Sequence, residues 1–141
     1  MKAKLTLRIA AAIMFLHLLG HMVGASTWKN NSDPFVQEAI KGMTDHTFMF
    51  MGASQSLAGH HDGYGYASAL ALLFFCAVLW IVSGADASTK AMSNKIVLVI
   101  SLTFLLWGIV ELIYFFPFAA AFTLISCALT FYSVVLFKKQ S

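Results

Sequence analysis

The sequence predicts an all-α integral membrane four-helix bundle with one or two short extra helices in the outer loop between helices 1 and 2. Of the 141 residues, 60% are hydrophobic and only 11% are charged, whereas about 25% of the residues of a soluble domain are charged. Four apolar segments also have the length of roughly 20 residues that crosses about 30 Å of hydrocarbon. The chain 1–141 is therefore predicted to be a single transmembrane domain, and we find no internal repeat in it.

The predicted spans cover residues 5–25, 64–82, 96–116 and 118–137. The first follows basic residues and ends in the small-residue run MVGAS, so it imitates a cleavable signal peptide. His17 and His21 lie inside this run, and a translocation signal has no need of them, so we predict a retained helix. Pro117 separates the last two spans and predicts a tight turn between two helices.

Charge asymmetry predicts the orientation. The basic residues on one side of the four-span topology are Lys2, Lys4, Arg8, Lys90, Lys95, Lys138 and Lys139, and only Lys29 and Lys41 fall on the other side. The positive-inside rule then places both termini in the cytoplasm, and the outer segment 26–63 outside, for a multi-pass protein of the bacterial inner (cytoplasmic) membrane. We find no basic cluster that indicates a nucleic-acid partner. The predicted partner is the lipid bilayer, and a lipid-soluble small molecule, a homo-oligomer and a larger membrane complex stay open.

The outer segment begins with a predicted amphipathic helix. The run NSDPFVQEAIKGM has Asp33 as its N-cap, proline at the first helical position, and Gly42 beyond its end. We predict a second helical piece over about 45–58, too short to span the membrane; whether it enters the membrane stays open. Gly59 and Gly63 are expected to break the helix on either side of the adjacent histidine pair.

Histidines and one glutamate form the predicted polar site. His17 and His21 have the i, i+4 spacing that puts both rings on one helix face, about 6 Å apart at Cβ. His61 lies at the outer mouth of the second span, and Glu111 is the only acidic residue inside any predicted span. An ionisable group within a span costs several kcal/mol unless it is paired or faces a wet cavity. We therefore predict a site of these four residues, with His46 as a further cofactor-binding member.

Imidazoles from two helices and one carboxylate match the ligands of zinc, iron or copper. The leading prediction is accordingly a transition metal ion or haem b, with a redox or metalloenzyme role and with His17, His21, His61 and Glu111 as metal ligands. Two alternatives stay open. One is a metal-free acid/base enzyme, or a binding protein for a lipid-soluble substrate or quinone. The other is a structural or assembly subunit of a membrane complex.

Two glycine motifs carry less weight. The Gly-Tyr-Gly that begins at Gly63 superficially resembles a potassium-channel filter, but the filter needs Thr-Val before its first glycine, and His61 and Asp62 stand there. Tyr64 and Tyr66 are better explained as interfacial aromatic residues. Gly20 and Gly24 form a G-x-x-x-G that permits close approach of another helix.

The runs FLHLLGHMVG and FMGASQSLAGHHDGYGYASALALLFFCAVLW, residues 15–24 and 50–80, begin and end a stretch of about half of the chain. Their paired histidines in helix 1, and the H-x-G-F/Y-G at the start of helix 2, resemble a group of small, uncharacterised four-helix bacterial membrane proteins. The resemblance falls on His17, His21, His61, Gly63, Tyr64 and Gly65. It implies which residues form the site, and it implies no particular reaction.

Overall fold

The computed structural model describes residues 3–139. Within this range it contains five helices and one two-stranded sheet. The elements are α1 Ala3–Thr27, α2 Pro34–Asp45, β1 Thr47–Phe50, β2 Ala53–Ser56, α3 Leu57–Val82, α4 Lys90–Tyr114 and α5 Pro117–Lys139. The helices α1, α3, α4 and α5 are each long and apolar enough to cross a membrane. The protein is thus an all-α, four-helix membrane protein, as predicted, with one short extra helix in the loop between α1 and α3.

The chain forms two compact units, which are described separately. The first consists, in its described part, of residues 3–18 and 72–139, and the second of residues 19–71. The first unit contains all of α4 and α5 and most of the buried apolar side chains. The second contains α2 and the hairpin of β1 and β2.

In the first unit, α5 supplies a row of small, fully buried polar residues. They are Thr123, Ser126, Thr130 and Ser133, and each has 0% exposure. Their hydroxyls are bonded; for example, Ser126 Oγ donates to Ala10 O at 3.5 Å, and Thr130 Oγ1 donates to Ser126 O at 2.9 Å. Small side chains let helix backbones approach closely within a membrane, so this row packs α5 against its neighbours.

The helices α4 and α5 approach each other closely in the first unit. A Cβ atom added at Gly108 would lie 2.5 Å from Leu124 Cδ2 and 2.8 Å from Leu124 Cγ, so only glycine fits there without movement. The two helices are joined by Phe115 and Phe116, and α5 begins at Pro117. This confirms the predicted tight turn, since proline is well suited to the first position of a helix.

In the second unit, α2 begins where the sequence predicts. The Asp33 side chain accepts a hydrogen bond from Phe35 N at 2.8 Å, and Pro34 is the first helical residue. The helix continues through Gly42 to Asp45. One glycine costs about 1 kcal/mol in a helix interior, and here that cost does not stop the helix.

The predicted helix over 45–58 is wrong, because most of this segment forms an antiparallel β-hairpin. Thr47 pairs with Ser56, and Phe50 pairs with Ala53. The two turn residues, Met51 and Gly52, have φ angles of 50° and 86°, as in the type I′ turn that matches the twist of a hairpin. Threonine and phenylalanine favour strands, and no residue of β1 or β2 is buried, so this local preference decides the structure of the hairpin.

The prediction that glycines interrupt the start of the second span is also wrong. The helix α3 begins at Leu57, before the predicted start at residue 64, so Gly59 and Gly63 are helical. The Ser56 hydroxyl accepts a hydrogen bond from Gly59 N at 3.0 Å, which is the bond that an N-cap serine makes. This cap stabilises the first turn of α3, which the two glycines would otherwise destabilise.

The G-x-x-x-G motif of α1 makes no close contact in the described structure. A Cβ at Gly20 or Gly24 would have no described atom within 4 Å, whereas a Cβ at Gly65 would lie 3.4 Å from Ala25 Cβ. Within the second unit, Gly65 therefore lies next to α1, and an added Cβ there would make an ordinary contact with Ala25.

Candidate functional site

The first unit contains a buried histidine–glutamate pair. His17 Nε2 lies 3.4 Å from Glu111 Oε1. The two residues are only 7% and 4% exposed. His17 is near the middle of α1, and Glu111 is in the last turn of α4. The structure thus brings together two of the predicted site residues from different helices.

A threonine and a phenylalanine of α5 complete the surroundings of the His17 ring. Thr123 Oγ1 lies 3.2 Å from His17 Nδ1, so both ring nitrogens face a polar group. The Phe122 ring stacks on the imidazole at 5.8 Å between centroids and 24° between planes. When Nε2 carries the ring proton toward the carboxylate, Nδ1 accepts a hydrogen bond from the Thr123 hydroxyl. The threonine hydroxyl can satisfy Nδ1 in either tautomer, so it orients the ring.

Sequence reasoning missed Thr123. The available signal was the spacing of Thr123, Ser126, Thr130 and Ser133, which recurs every three or four residues along the predicted fourth span and marks one helix face. A polar face inside a membrane span indicates the bundle interior. The carboxylate of Glu111 was predicted because it is isolated in its span, but a threonine in a span is common and carries no such mark.

This arrangement can hold and exchange a proton. A proton moved between the imidazole and the carboxylate converts a neutral pair into an ion pair without changing the total charge, which limits the cost of burial. The constellation resembles nucleophile–histidine–acid systems, in which a base is oriented by a third group. The Thr123 side chain is fully buried, and we assign it the role of orienting the ring.

The four remaining histidines belong to the second unit. His21 Nε2 donates to Gly65 O at 2.8 Å and so ties α1 to α3. The exposed His61 ring lies against the Trp28 indole, with centroids 4.2 Å apart and planes tilted by 44°. His21 thus contacts a backbone carbonyl and His61 contacts an indole ring, and neither contact involves a second histidine.

The contacts of His60, and the position of His46, likewise involve no other histidine. His60 Nδ1 donates to Ser56 O at 3.3 Å, and its ring is 5.7 Å from that of Phe48 and 5.8 Å from that of Phe50. His60 thus anchors the hairpin to the start of α3. His46 is exposed and follows the last residue of α2.

A charged corner that sequence reasoning missed joins the end of α1 to the start of α3. Asp62 accepts hydrogen bonds from Trp28 Nε1 and from Lys29 Nζ, each at 2.7 Å and each on a different carboxylate oxygen. The lysine and aspartate side chains are 43% and 30% exposed, so the ion pair itself contributes about 0–1 kcal/mol. The charged corner, defined by Trp28, Lys29, His61 and Asp62, thus connects the chain after α1 to the first turns of α3.

The predicted metal ligands are not gathered into one group. Among residues 3–139, no set of three or more His, Cys, Asp and Glu side chains is arranged to hold a metal ion. His17 and Glu111 are paired in the first unit, while His21, His46 and His61 belong to the second and have separate neighbours. The prediction of one histidine cluster is thus not supported, and the metal ion and haem b stay predictions.

Comparisons of this chain with protein-family models, with curated proteins and with solved structures found no match. The fold and the site therefore define the class by themselves. The protein is a multi-pass α-helical membrane protein with a buried histidine–glutamate pair between its spanning helices.

Proposed function

We propose that His17 and Glu111 form a metal-free acid/base site that serves a lipid-soluble substrate of the quinone type. One observation carries the proposal: the two side chains are buried together, 3.4 Å apart, within helices that can span a membrane. Ionisable residues at such positions are costly, and they typically mark proton relays or substrate sites. Histidine and glutamate are also the commonest groups in general acid/base catalysis.

The surroundings of the pair favour a lipid-soluble substrate. The Phe122 ring covers one face of the imidazole, and a polar solute would lose its hydration on approaching such a surface. Glu111 lies only one turn before α4 ends at Tyr114. Beside it, Tyr114, Phe115 and Phe116 are 76%, 66% and 56% exposed, as expected of aromatic residues at a membrane interface. The pair would thus lie about 5 Å below an interface, close enough to exchange protons with water.

Infrared spectroscopy of the purified protein in nanodiscs tests the acid/base pair. Glu111→Gln identifies the carboxyl band of Glu111 by its loss, and the band is then followed against pH in other variants. His17→Gln is expected to shift the pH at which Glu111 loses its proton, because the pair shares that proton. His46→Gln is the matched control, since His46 is exposed and belongs to the other unit. A Glu111 titration that is the same in His17→Gln and wild type would overturn the proposal.

Elemental analysis and optical spectra separate this proposal from the metal or haem alternative. Stoichiometric metal or a Soret band in the purified protein, lost in His17→Ala and in His61→Ala, would favour the metal centre and contradict the metal-free site. The proposed site depends on His17 and leaves His61 dispensable. A substrate-dependent activity that survives His61→Ala and is lost in His17→Gln is therefore the expected result.

We also propose that both termini are cytoplasmic and that the hairpin segment faces outward, in a bacterial inner membrane. The asymmetry of lysine and arginine residues supports this orientation. Single cysteines at Thr44 and Ser88 test it, since both native cysteines are buried. A membrane-impermeant maleimide should label Thr44→Cys in intact spheroplasts and Ser88→Cys only after lysis. The opposite labelling pattern would reverse the orientation.

A further inference from the structure

An apolar groove runs along the surface of the first unit between α1 and α3. Its volume is about 510 Å³. Its most buried lining residues are Ala11 and Cys76, at 4% and 9% exposure, and its other lining side chains include the exposed Phe15, Leu73 and Trp80. The polar pair of His17 and Glu111 does not line this groove. In a bundle that spans a membrane, such a groove faces lipid acyl chains.

The positively charged side chain of Arg8 lies at one end of the groove. Arg8 lies one helical turn before Ala12 on α1, and its guanidinium carbon is 4.7 Å from the centroid of the Trp80 ring. Its Nε donates to Ser83 Oγ at 3.4 Å. These two contacts hold the guanidinium plane above a groove-lining side chain. The exposed Lys4 lies a further turn along α1.

The groove and Arg8 together match the two parts of a phospholipid. The planar guanidinium has five N–H donors in a fork that suits phosphate oxygens, and only Nε points to Ser83. The residues from Arg8 to Phe15 cover about 10 Å along the helix axis, which gives an acyl chain an extended apolar contact. Because the groove opens to the surroundings, a lipid can enter it from the bilayer without any opening of the bundle.

We propose that this groove is a binding site for an anionic phospholipid, with the acyl chain against the groove and the phosphate on Arg8. Charge complementarity favours this occupant over a zwitterionic lipid, since Arg8 and the exposed Lys4 add positive charge at the headgroup end. Attraction of an anionic surface by a basic residue corresponds to about a fivefold preference for each residue. The proposal does not depend on the acid/base site.

Native mass spectrometry of the whole protein with defined lipids tests the proposal. Phosphatidylglycerol and phosphatidylcholine with identical acyl chains are the two probes. Wild-type protein is expected to retain phosphatidylglycerol preferentially, and Arg8→Gln should reduce that preference about fivefold. Lys139→Gln is the matched control, because it removes one exposed positive charge from the end of α5 without touching the groove. Equal loss of preference in both variants would show general surface attraction and would overturn the site.

A second pair of variants tests the acyl-chain part. Ala12 is an exposed residue that lines the groove, so Ala12→Trp places a large ring there and should lower retention of both lipids. Leu98→Trp adds the same ring to an exposed position of α4 outside the groove and should leave retention unchanged. Arg8→Lys keeps the charge if the glutamine variant fails to fold, and it should retain most of the preference for phosphatidylglycerol. Unchanged retention in folded Ala12→Trp would contradict the groove as the binding site.

Discussion

Replacing Gly108 by alanine tests whether close packing of α4 on α5 holds the site together. The new Cβ would lie 2.5 Å from Leu124 Cδ2 and 2.8 Å from Leu124 Cγ. Unstrained carbon contacts lie at about 3.5–4.0 Å, so the side chain or the helices must move by about 1 Å. Overpacking of this kind costs about 1–3 kcal/mol. The site should respond, since Gly108 is one turn before Glu111 and Leu124 follows Thr123.

The matched control is Gly20→Ala, where the added Cβ has no described atom within 4 Å. Both changes gain about 1 kcal/mol of helix propensity, so the difference between the two variants isolates the contact with Leu124. Thermal and denaturant unfolding in one detergent should place Gly108→Ala below Gly20→Ala by about 1–3 kcal/mol in free energy of unfolding. The same samples report the site through the infrared band of Glu111.

A double-mutant cycle identifies the cause. Leu124→Ala removes the atoms that the new Cβ would meet, so Gly108→Ala should be much less destabilising in that background. If Gly108→Ala and Gly20→Ala have equal stabilities, or if Leu124→Ala gives no rescue, the close approach of the two helices is not what limits this position. The explanation of the site by helix packing would then be wrong.

Three further predictions concern the loops. The Ser88 hydroxyl, with neighbouring groups, lowers the pKa of Asp86 to about 2. The stabilising effect of the Asp86 carboxylate is therefore complete above its ordinary pKa of about 4 and is lost as the pH falls towards 2. Amide exchange at Ser88 should accelerate over that range, and Asp86→Asn should make the exchange rate at Ser88 less dependent on pH. Met51→Asn should stabilise the hairpin by about 1 kcal/mol, because asparagine tolerates positive φ better, and unchanged strand amide protection would contradict this. Trp28→Phe removes the indole donor to Asp62 and should cost about 1 kcal/mol of unfolding free energy; a neutral result would show that the lysine alone holds the carboxylate.

The spanning helices and the start of α2 could be predicted because their causes are local. A continuous run of apolar residues needs no partner to indicate a span, and Asp33 followed by proline determines a helix start within a few residues. The hairpin could not be separated from a helix in this way. Its apolar residues form only a short run, in which hydrophobic periodicity does not distinguish a strand from a helix. The turn at Met51-Gly52 was also not identified from the sequence.

The site was only half predictable for a related reason. His17 and Glu111 stand out because ionisable groups are rare in spans. Which side chains meet them depends on how each helix is rotated about its axis, and this rotation is fixed by packing of small residues such as Gly108. Thr123 thus became visible only with the fold. His21 was assigned to the same site by its i, i+4 spacing from His17, and His61 by its position at the outer mouth of the second span. Their side chains instead contact Gly65 and Trp28.

The charged corner has a consequence for the length of the outer segment. Its hydrogen bond joins Trp28 to Asp62, which are 34 residues apart in sequence, and so closes the intervening chain into a loop near its base. The entropic cost of loop closure rises only logarithmically, by about 0.6 kcal/mol for each doubling of length. With the ends held by side chains of the corner, the tip at Met51 and Gly52 can therefore accept an inserted peptide or small domain at little cost, which makes it the natural place for an epitope or reporter.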